Sequence, residues 1–260
     1  MGKLTGRVAI VTGAATGLGR GIAMLYAREG ADVAVLDRNG AGAAVVAEAI
    51  AGMGRRSLAV AVDVGDEAGM TAAIAQAVAV LGPPDILVNN AGIATVALLE
   101  DMPTAQWDEM IRINLTSVFY GCRAVMPHMR ARRYWQIINI SSQLAHKGAE
   151  GMAHYAAAKA GVLGLTRSLA YEGTDDNIVV NAILPRPAVN RHAAAAGLGR
   201  EKDRRIAHRP PRHSGRGGTD CPAARLRRCR LLLWRHIQPQ WRRHHDLTAH
   251  PCPCPCPCLP

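Results

Sequence analysis

Six short, continuously apolar segments alternate with helical segments over the first 183 residues, and this alternation constrains the fold more than any other feature. The predicted strands are residues 7–12, 32–37, 57–62, 85–89, 136–141 and 178–183, and the predicted helices are about 17–29, 41–53, 67–80, 104–131 and 152–172. Strands that are apolar along their whole length are typical of parallel sheets covered on both faces. Because crossover connections are right-handed, the sequence predicts a doubly wound α/β fold with three layers, α/β/α.

The alternation stops after Pro185, and the composition changes at the same place. Residues 1–185 contain 15 Lys and Arg against 16 Asp and Glu, whereas residues 186–260 contain 16 against 4. The second segment also holds six of the seven cysteines and ten of the fifteen prolines, and it ends in a Pro-Cys repeat. Such a segment is unsuited to building a core. We therefore predict a folded domain over 1–185 and an atypical, irregular basic tail over 186–260.

The abrupt gain of Arg, His, Pro and Cys suggests the hypothesis that the tail is a frame-shifted reading of a GC-rich gene. Metal binding by the Pro-Cys repeat is a weaker interpretation. Polyproline II has about 3 residues per turn, so cysteines two apart point in different directions. The basic run 225–235 predicts salt-sensitive, nonspecific affinity for nucleic acid, without a motif for specific recognition. We therefore predict no metal and no specific nucleic-acid partner.

The hydropathy of the chain favours a cytoplasmic protein. No apolar run is long enough to span a bilayer, and the residues after Met1 lead directly into the first predicted strand without a signal peptide. We therefore expect no membrane partner.

A glycine-rich turn, residues 12–19, joins the first strand to its helix. Glycines allow a backbone to approach a pyrophosphate closely, and the helix N-terminus supplies N–H groups and positive dipole charge. The spacing is Gly-x-x-x-Gly-x-Gly, and the strand–turn–helix setting favours a nucleotide site over a plain turn. The candidate cofactor-binding residues in this turn are Gly13, Thr16, Gly17, Leu18 and Gly19.

Two strand ends suggest which dinucleotide binds. Asp37 ends the second strand, where a carboxylate can accept hydrogen bonds from an adenosine ribose and repels a 2′-phosphate. This favours NAD over NADP, although Arg38 follows immediately and softens the preference; the alternative is a helix-capping or surface aspartate. Asp63 and Val64 end the third strand, where a contact with the adenine edge and an ordinary turn are equally good interpretations.

Tyr155 and Lys159 lie four residues apart in a predicted helix and therefore share a face. A lysine ammonium beside a phenol favours its ionised form, which matters because free tyrosine has a pKa near ~10. Such a pair is suited to proton exchange at neutral pH. Considered alone, the spacing is also that of any ordinary helix face.

Further motifs stand in register with this pair. Asn89-Asn90-Ala91-Gly92 follows the fourth strand, Asn114 lies in the long helix, and Ser141-Ser142 ends the fifth strand. Together with the glycine turn and the Tyr–Lys pair, this pattern over about residues 5–185 resembles the short-chain dehydrogenase/reductase family. The resemblance implies a Rossmann-type, NAD-binding catalytic domain.

The resemblance also implies site residues. The catalytic serine of the family precedes the tyrosine by thirteen residues, which selects Ser142 over Ser141 and gives the tetrad Asn114, Ser142, Tyr155 and Lys159. Simpler roles stay open: a helix kink for Asn114, a strand-end turn for Ser142 and a solvated charge for Lys159. The further cofactor-binding residues that the resemblance implies are Asn90, Ala91, Gly92, Tyr155, Lys159 and Pro185.

We therefore expect an enzyme that acts on CH-OH groups and transfers hydride between NAD(H) and a secondary alcohol or ketone, with Tyr155 as general acid/base. One alternative is an NADPH-dependent 3-oxoacyl-carrier-protein reductase, and another is a folded but impaired dinucleotide-binding protein. Gln143 and His146 are candidates for the substrate pocket or for a surface loop. Small residues on the helix of Tyr155 and the resemblance together imply a homodimer or homotetramer.

Four residues at three places depart from the family pattern. Pro185 is followed by Arg186 where glycine is usual, and Asn190 stands where a threonine is usual. The residues Trp135-Gln136 replace a usual Gly-Arg before the fifth strand. A bulky cation at position 186 replaces a residue that permits close backbone approach, which motivates the impaired alternative.

Overall fold

The computed structural model of the protein describes residues 2–132 and 135–185. Its centre is one parallel sheet in the order β3-β2-β1-β4-β5-β6. The strands are β1 Val8–Thr12, β2 Asp32–Asp37, β3 Ser57–Ala61, β4 Ile86–Asn89, β5 Trp135–Ile140 and β6 Ile178–Ile183. The chain runs outward from β1 to β3 and then returns to continue on the other side of β1. This reversal between β1 and β4 creates a crevice at the carboxyl ends of the two strands.

Helices cover both faces of the sheet. They are α1 Gly17–Arg28, α2 Gly40–Ala51, α3 Glu67–Leu81, α4 Thr104–Ile111, α5 Ser117–Arg132, α6 Leu144–Lys147 and α7 Ala153–Glu172, with a 3-10 turn at Leu99–Asp101. Side chains alternate along β1, so Ala9 and Val11 pack with α1 and α2, whereas Val8 and Ile10 pack with α3, α5 and α7. The predicted three-layer, doubly wound α/β fold is confirmed.

The predicted helix over 104–131 is wrong as one regular helix. The structure divides it into α4, a π-helical turn at Arg112–Thr116, and α5. The amide nitrogen of Asn114 donates to the carbonyl oxygen of Met110 and to that of Ile93 in a neighbouring loop. A side chain that competes for a helix carbonyl in this way accounts for the local widening of the helix. The ends of the other predicted helices and strands agree with those of the structure to within two residues.

Some expectations are not tested by this architecture. The tail over 186–260, including Arg186 and Asn190, lies outside the described residues. Trp135 is the first residue of β5 and is buried in the core. No helix in the described part of the chain is long and apolar enough to cross a bilayer. The cytoplasmic location stays a prediction.

Candidate active site

The glycine-rich turn leaves β1 and enters α1 at the crevice. Gly13 and Gly17 have φ values of 62° and 55°, in the left-handed region that favours glycine. A Cβ at position 19 would overlap the carbonyl oxygen of Gly13 and the side chain of Asn90. The turn therefore requires glycine at these three positions, for conformation at two and for space at the third.

The loop after β4 holds this turn in place by hydrogen bonds. The Asn90 amide nitrogen donates to the carbonyl oxygens of Thr12 and Gly13, at 2.9 and 3.1 Å. The Thr12 hydroxyl accepts from the backbone N–H groups of Asn90 and Ala91, both at 3.0 Å. Asn90 was predicted to bind cofactor, and the structure directs its side chain to the glycine turn. Thr12 belongs to the same support and was not singled out from the sequence.

The N-terminus of α1 faces the crevice as a potential anion site. Thr16 is the N-cap residue and makes no side-chain capping bond. Leu18, in the first turn, is half-exposed. Uncapped N–H groups and the helix dipole together suit a phosphate group. Thr16, Gly17 and Leu18 are thus exposed at the start of the helix, and Gly19 is buried.

Asp37 ends β2 beside the glycine turn. Its two carboxylate oxygens accept from the backbone N–H of Ala15 at 3.0 Å and from that of Asn39 at 2.9 Å. These bonds fix the carboxylate at the edge of the crevice, and each oxygen has a further lone pair available for a ribose hydroxyl. Asn39, and not Asp37, caps α2 through its side chain. Arg38 is exposed.

Asp63 follows β3 and forms an ion pair with Arg112, at 3.0 Å, while its other oxygen accepts from the N–H of Gly65 at 2.8 Å. Burial acts to raise the pKa of Asp63, but these hydrogen bonds and the positive charges of Arg112 and Arg38 outweigh it and hold the pKa below its ordinary value. The Val64 side chain is buried in the core.

Tyr155 and Lys159 lie on α7 at the carboxyl edge of the sheet. The Lys159 ammonium is 5.8 Å from the centroid of the Tyr155 ring and donates to the Ile140 carbonyl at 2.8 Å. Lys159 is only 4% exposed, and burial lowers its pKa from 10.5 to about 8. The interpretation of Lys159 as a solvated surface charge is therefore wrong.

The two serines after β5 have different surroundings. The Ser141 hydroxyl donates to the Lys159 carbonyl oxygen at 2.8 Å, which commits it to holding α7 against β5. The Ser142 oxygen accepts from the Leu144 N–H at 3.2 Å, and its own proton has no acceptor among the described residues. Ser142 therefore has a donor available for a substrate oxygen, and Ser141 does not.

Asn114 and Lys159 face the same space. The amide nitrogen of Asn114 is held by the Ile93 and Met110 carbonyls, while its oxygen Oδ1 is buried without a donor among the described residues. A Cβ at position 92 would lie 2.6 Å from this oxygen and 3.5 Å from Lys159 Nζ. Gly92 thus leaves room between the two groups. The kink at Asn114 uses only the amide nitrogen, so a structural and a functional role are compatible.

The matched family model agrees with this geometry. Residues 7–201 match the model of the short chain dehydrogenase family. The chain belongs to this family. Short-chain dehydrogenases are oxidoreductases that use nicotinamide dinucleotides, and the turn, the uncapped helix N-terminus and the unpaired Asn114 oxygen described above fit such a group. The match extends past residue 185, where the domain boundary was predicted, and that boundary stays a prediction.

Curated relatives and solved structures give the same family. The chain is 42% identical over 186 residues to the oxidoreductase UcpA of Salmonella typhimurium. These residues are 71% of this chain and 70% of the relative. It is 43% identical over 187 residues to the 3-oxoacyl-[acyl-carrier-protein] reductase FabG of Staphylococcus aureus, covering 70% and 74%. A putative short-chain alcohol dehydrogenase from Sinorhizobium meliloti 1021 superposes with a TM-score of 0.71 at 38% identity, covering 77% and 79%.

A polar cluster in this short-chain dehydrogenase was not found from the sequence. His154, beside Tyr155, is buried, and its Nε2 lies 2.9 Å from the Thr95 hydroxyl. That hydroxyl accepts a hydrogen bond from the Gln106 amide at 2.8 Å. No spacing rule connects these three residues, because they come from three separate segments. Of the remaining candidates, Gln143 and Pro185 are half-buried and His146 is exposed.

Proposed function

We propose that this protein transfers hydride between NAD(H) and a secondary alcohol or ketone, with Tyr155 as the general acid/base. The observation that carries the proposal is the buried Lys159 ammonium, 5.8 Å from the centroid of the Tyr155 ring. Among the described residues no carboxylate pairs with this ammonium, so its burial costs free energy that a neutral side chain would avoid, and its hydrogen bond to the Ile140 carbonyl offsets only part of that cost. Placing that charge beside a phenol serves proton transfer.

The glycine turn and the first turn of α1, including Gly13, Thr16, Gly17, Leu18 and Gly19, would hold the pyrophosphate. Asp37 and Arg38 would lie at the adenosine ribose, and Asp63 and Val64 at the adenine. Ala91, Gly92, Tyr155, Lys159 and Pro185 would surround the nicotinamide half, supported by Asn90. The bound dinucleotide supplies the hydride chemistry, and the protein supplies position and electrostatic field.

The proton follows a path of this chain's own groups. Tyr155 exchanges a proton with the substrate oxygen, and Ser142 donates a hydrogen bond to the same oxygen as charge develops there. The Lys159 ammonium stabilises negative charge on the phenol oxygen. The unpaired Asn114 oxygen, facing the same space as Lys159 Nζ, would hold a water that passes protons between this lysine and solvent.

Asp37 supports NAD over NADP. Its carboxylate is fixed by the N–H groups of Ala15 and Asn39, so it cannot turn away from a 2′-phosphate without breaking two hydrogen bonds. Two negative groups in contact at that position repel each other. The neighbouring Arg38 offsets part of this repulsion.

A second candidate is NADPH-dependent reduction of a 3-oxoacyl group carried on acyl-carrier protein. The identity of 43% to the Staphylococcus aureus FabG favours it. Asp37 argues against NADPH as the cofactor, because its carboxylate repels a 2′-phosphate. The choice of dinucleotide and the choice of substrate are separable by experiment, because either dinucleotide can be offered with either substrate.

Assembly as a homodimer or homotetramer is also proposed. Ala157, Ala160 and Gly164 form an exposed strip of small residues on α7. Small side chains permit close approach of a helix from a second copy. Light scattering on the purified full chain would give the mass, and a monomer at micromolar concentration would contradict this proposal.

The proposed function is tested by following reduced nicotinamide absorbance with panels of secondary alcohols, ketones and 3-oxoacyl thioesters, each with NAD(H) and NADP(H). A fluorescence titration with NADH on the same sample reports binding separately. We expect turnover with a secondary alcohol and NAD. Binding without turnover on every panel would instead support the impaired dinucleotide-binding protein.

A further inference from the structure

We propose that His154 is a positioning residue, which through Thr95 and Gln106 fixes the turn of α7 that presents Tyr155 to substrate. This inference rests on the proposed role of Tyr155. It adds a requirement that the family resemblance did not provide, namely that the helical turn of the general acid/base is anchored by a hydrogen-bonded cluster of the buried His154, the half-buried Gln106 and the exposed Thr95.

The cluster joins three segments of the chain. His154 Nε2 lies 2.9 Å from the Thr95 hydroxyl in the loop after β4 and 3.5 Å from the Gln106 amide nitrogen on α4. Gln106 also donates to the Thr95 hydroxyl at 2.8 Å. His154 is fully buried, while Tyr155 beside it is half-buried. Successive helix residues point about 100° apart, so the imidazole anchors the turn while the phenol stays accessible.

One assignment of bond directions keeps the Thr95 proton within the cluster. The Thr95 oxygen accepts from Gln106 and has one proton of its own, for which His154 Nε2 is the acceptor within the described residues. In this assignment Nε2 accepts, and the imidazole carries its proton on Nδ1. The bonds run in one direction, Gln106 to Thr95 to His154, and chains of this kind reinforce one another.

The start of α7 needs such an anchor. Its N-cap residue, Met152, makes no side-chain capping bond, and Gly151 just before it has a φ of 70°. An uncapped first turn frays readily unless tertiary contacts hold it. The Ala97 N–H donates to the Gly151 carbonyl at 3.0 Å, and the His154 cluster provides a side-chain attachment one helical turn from it.

The same attachment reaches the other catalytic groups. Thr95 lies two residues after Ile93, whose carbonyl oxygen holds the Asn114 amide. The cluster therefore ties the turn of Tyr155 to the loop that positions Asn114. Movement of about 1 Å in either group is enough to cost a large part of the rate of an enzymatic proton transfer.

Stability alone does not account for a histidine at this place. Its Nδ1 is buried and has no hydrogen-bond partner among the described residues. An unpaired buried polar atom is destabilising, and a phenylalanine of similar shape would avoid that cost. His154→Phe should therefore fold, while it removes the bond to Thr95.

The test compares His154→Phe, Thr95→Val and the double variant in the full chain, with Thr95→Ser as the conservative variant. Thr166→Val is the matched control. The Thr166 hydroxyl is buried on the same helix and bonds only the Val162 carbonyl and the Asn139 amide among described groups. Hydrogen exchange of the peptide spanning 151–158, NADH affinity and kcat are measured on each.

We expect His154→Phe and Thr95→Val each to speed exchange in 151–158 at least ~10-fold and to lower kcat at least ~10-fold, with NADH affinity within about 2-fold. The double variant should be no worse than either single one, because both remove the same bond. Thr95→Ser keeps the hydroxyl and should have a kcat close to that of the wild type. Thr166→Val should also leave kcat unchanged.

Unchanged exchange in 151–158 would overturn the proposal whether or not the enzyme turns over. Faster exchange with unchanged kcat would overturn it as well. If the wild-type chain shows no turnover on any substrate, the proposed function fails, and the exchange measurement alone then decides whether His154 anchors this turn.

Discussion

Replacing Lys159 by methionine should stabilise the cofactor-free protein at neutral pH, in spite of removing a hydrogen bond. The lysine is 4% exposed and donates to the Ile140 carbonyl. Burial lowers its pKa from 10.5 to about 8. A methionine of similar length fills the same space without a charge.

The magnitude follows from the pKa of Lys159 in the two states. Each pKa unit corresponds to about 1.4 kcal/mol, so the folded ammonium carries a penalty of roughly 3 kcal/mol relative to the unfolded chain. Because the folded pKa is the lower one, both states hold the proton below pH 8 and the full penalty applies there. Between pH 8 and 10.5 the folded state releases its proton while the unfolded chain keeps it, so the penalty falls steadily and is gone above pH 10.5. Losing the bond to the Ile140 carbonyl costs about 1–2 kcal/mol and does not depend on pH.

We therefore expect Lys159→Met to raise the free energy of unfolding by about 1–2 kcal/mol at pH 6.5 and to lose that advantage by pH 10. Urea denaturation followed by tryptophan fluorescence at both pH values gives the difference. Lys147→Met, at an exposed lysine, is the control and should show no such trend. A Lys159→Met protein that is less stable at both pH values, by the same amount, would refute the reasoning.

Three further changes test other parts of the account. Asp37→Ser should raise the affinity for NADPH relative to NADH by at least ~10-fold, measured by fluorescence titration, because it removes the carboxylate facing a 2′-phosphate; an unchanged ratio would contradict this. Ser142→Ala should lower kcat by about 10²–10³-fold, whereas Ser141→Ala should chiefly cost about 1–2 kcal/mol of stability, and equal kcat losses would remove the distinction between them. The coding DNA should encode a seventh strand in another frame past codon 185, and its absence from both alternative frames would end the frame-shift hypothesis.

The strands could be predicted because their signal is local. Each strand of this sheet is apolar along most of its length and is bounded by turn residues, so periodicity alone identifies it. The π-helical turn could not be predicted in this way. It depends on Asn114 meeting the carbonyl of Ile93, which is 21 residues away in sequence. Contacts of this kind are set by the fold and produce no periodic pattern in the sequence.

In the candidate site, too, some residues could be predicted from local sequence and others could not. The spacing of Ser142, Tyr155 and Lys159 correctly predicted a site at the carboxyl edge of the sheet, because Ser142 follows β5 by two residues and the other two lie on α7. The sequence did not identify the residues that hold these groups in place. Thr12 and His154 carry no local pattern, and their partners lie 48 to 79 residues away.

The most direct test of the account is a comparison of wild-type and Tyr155→Phe proteins with the best alcohol of the panel and NAD. The phenylalanine keeps the ring beside Lys159 and removes only the hydroxyl that exchanges the proton. We predict that kcat falls by at least ~10²-fold while NADH binds with nearly unchanged affinity. A Tyr155→Phe protein that retains most of its turnover would contradict the central claim.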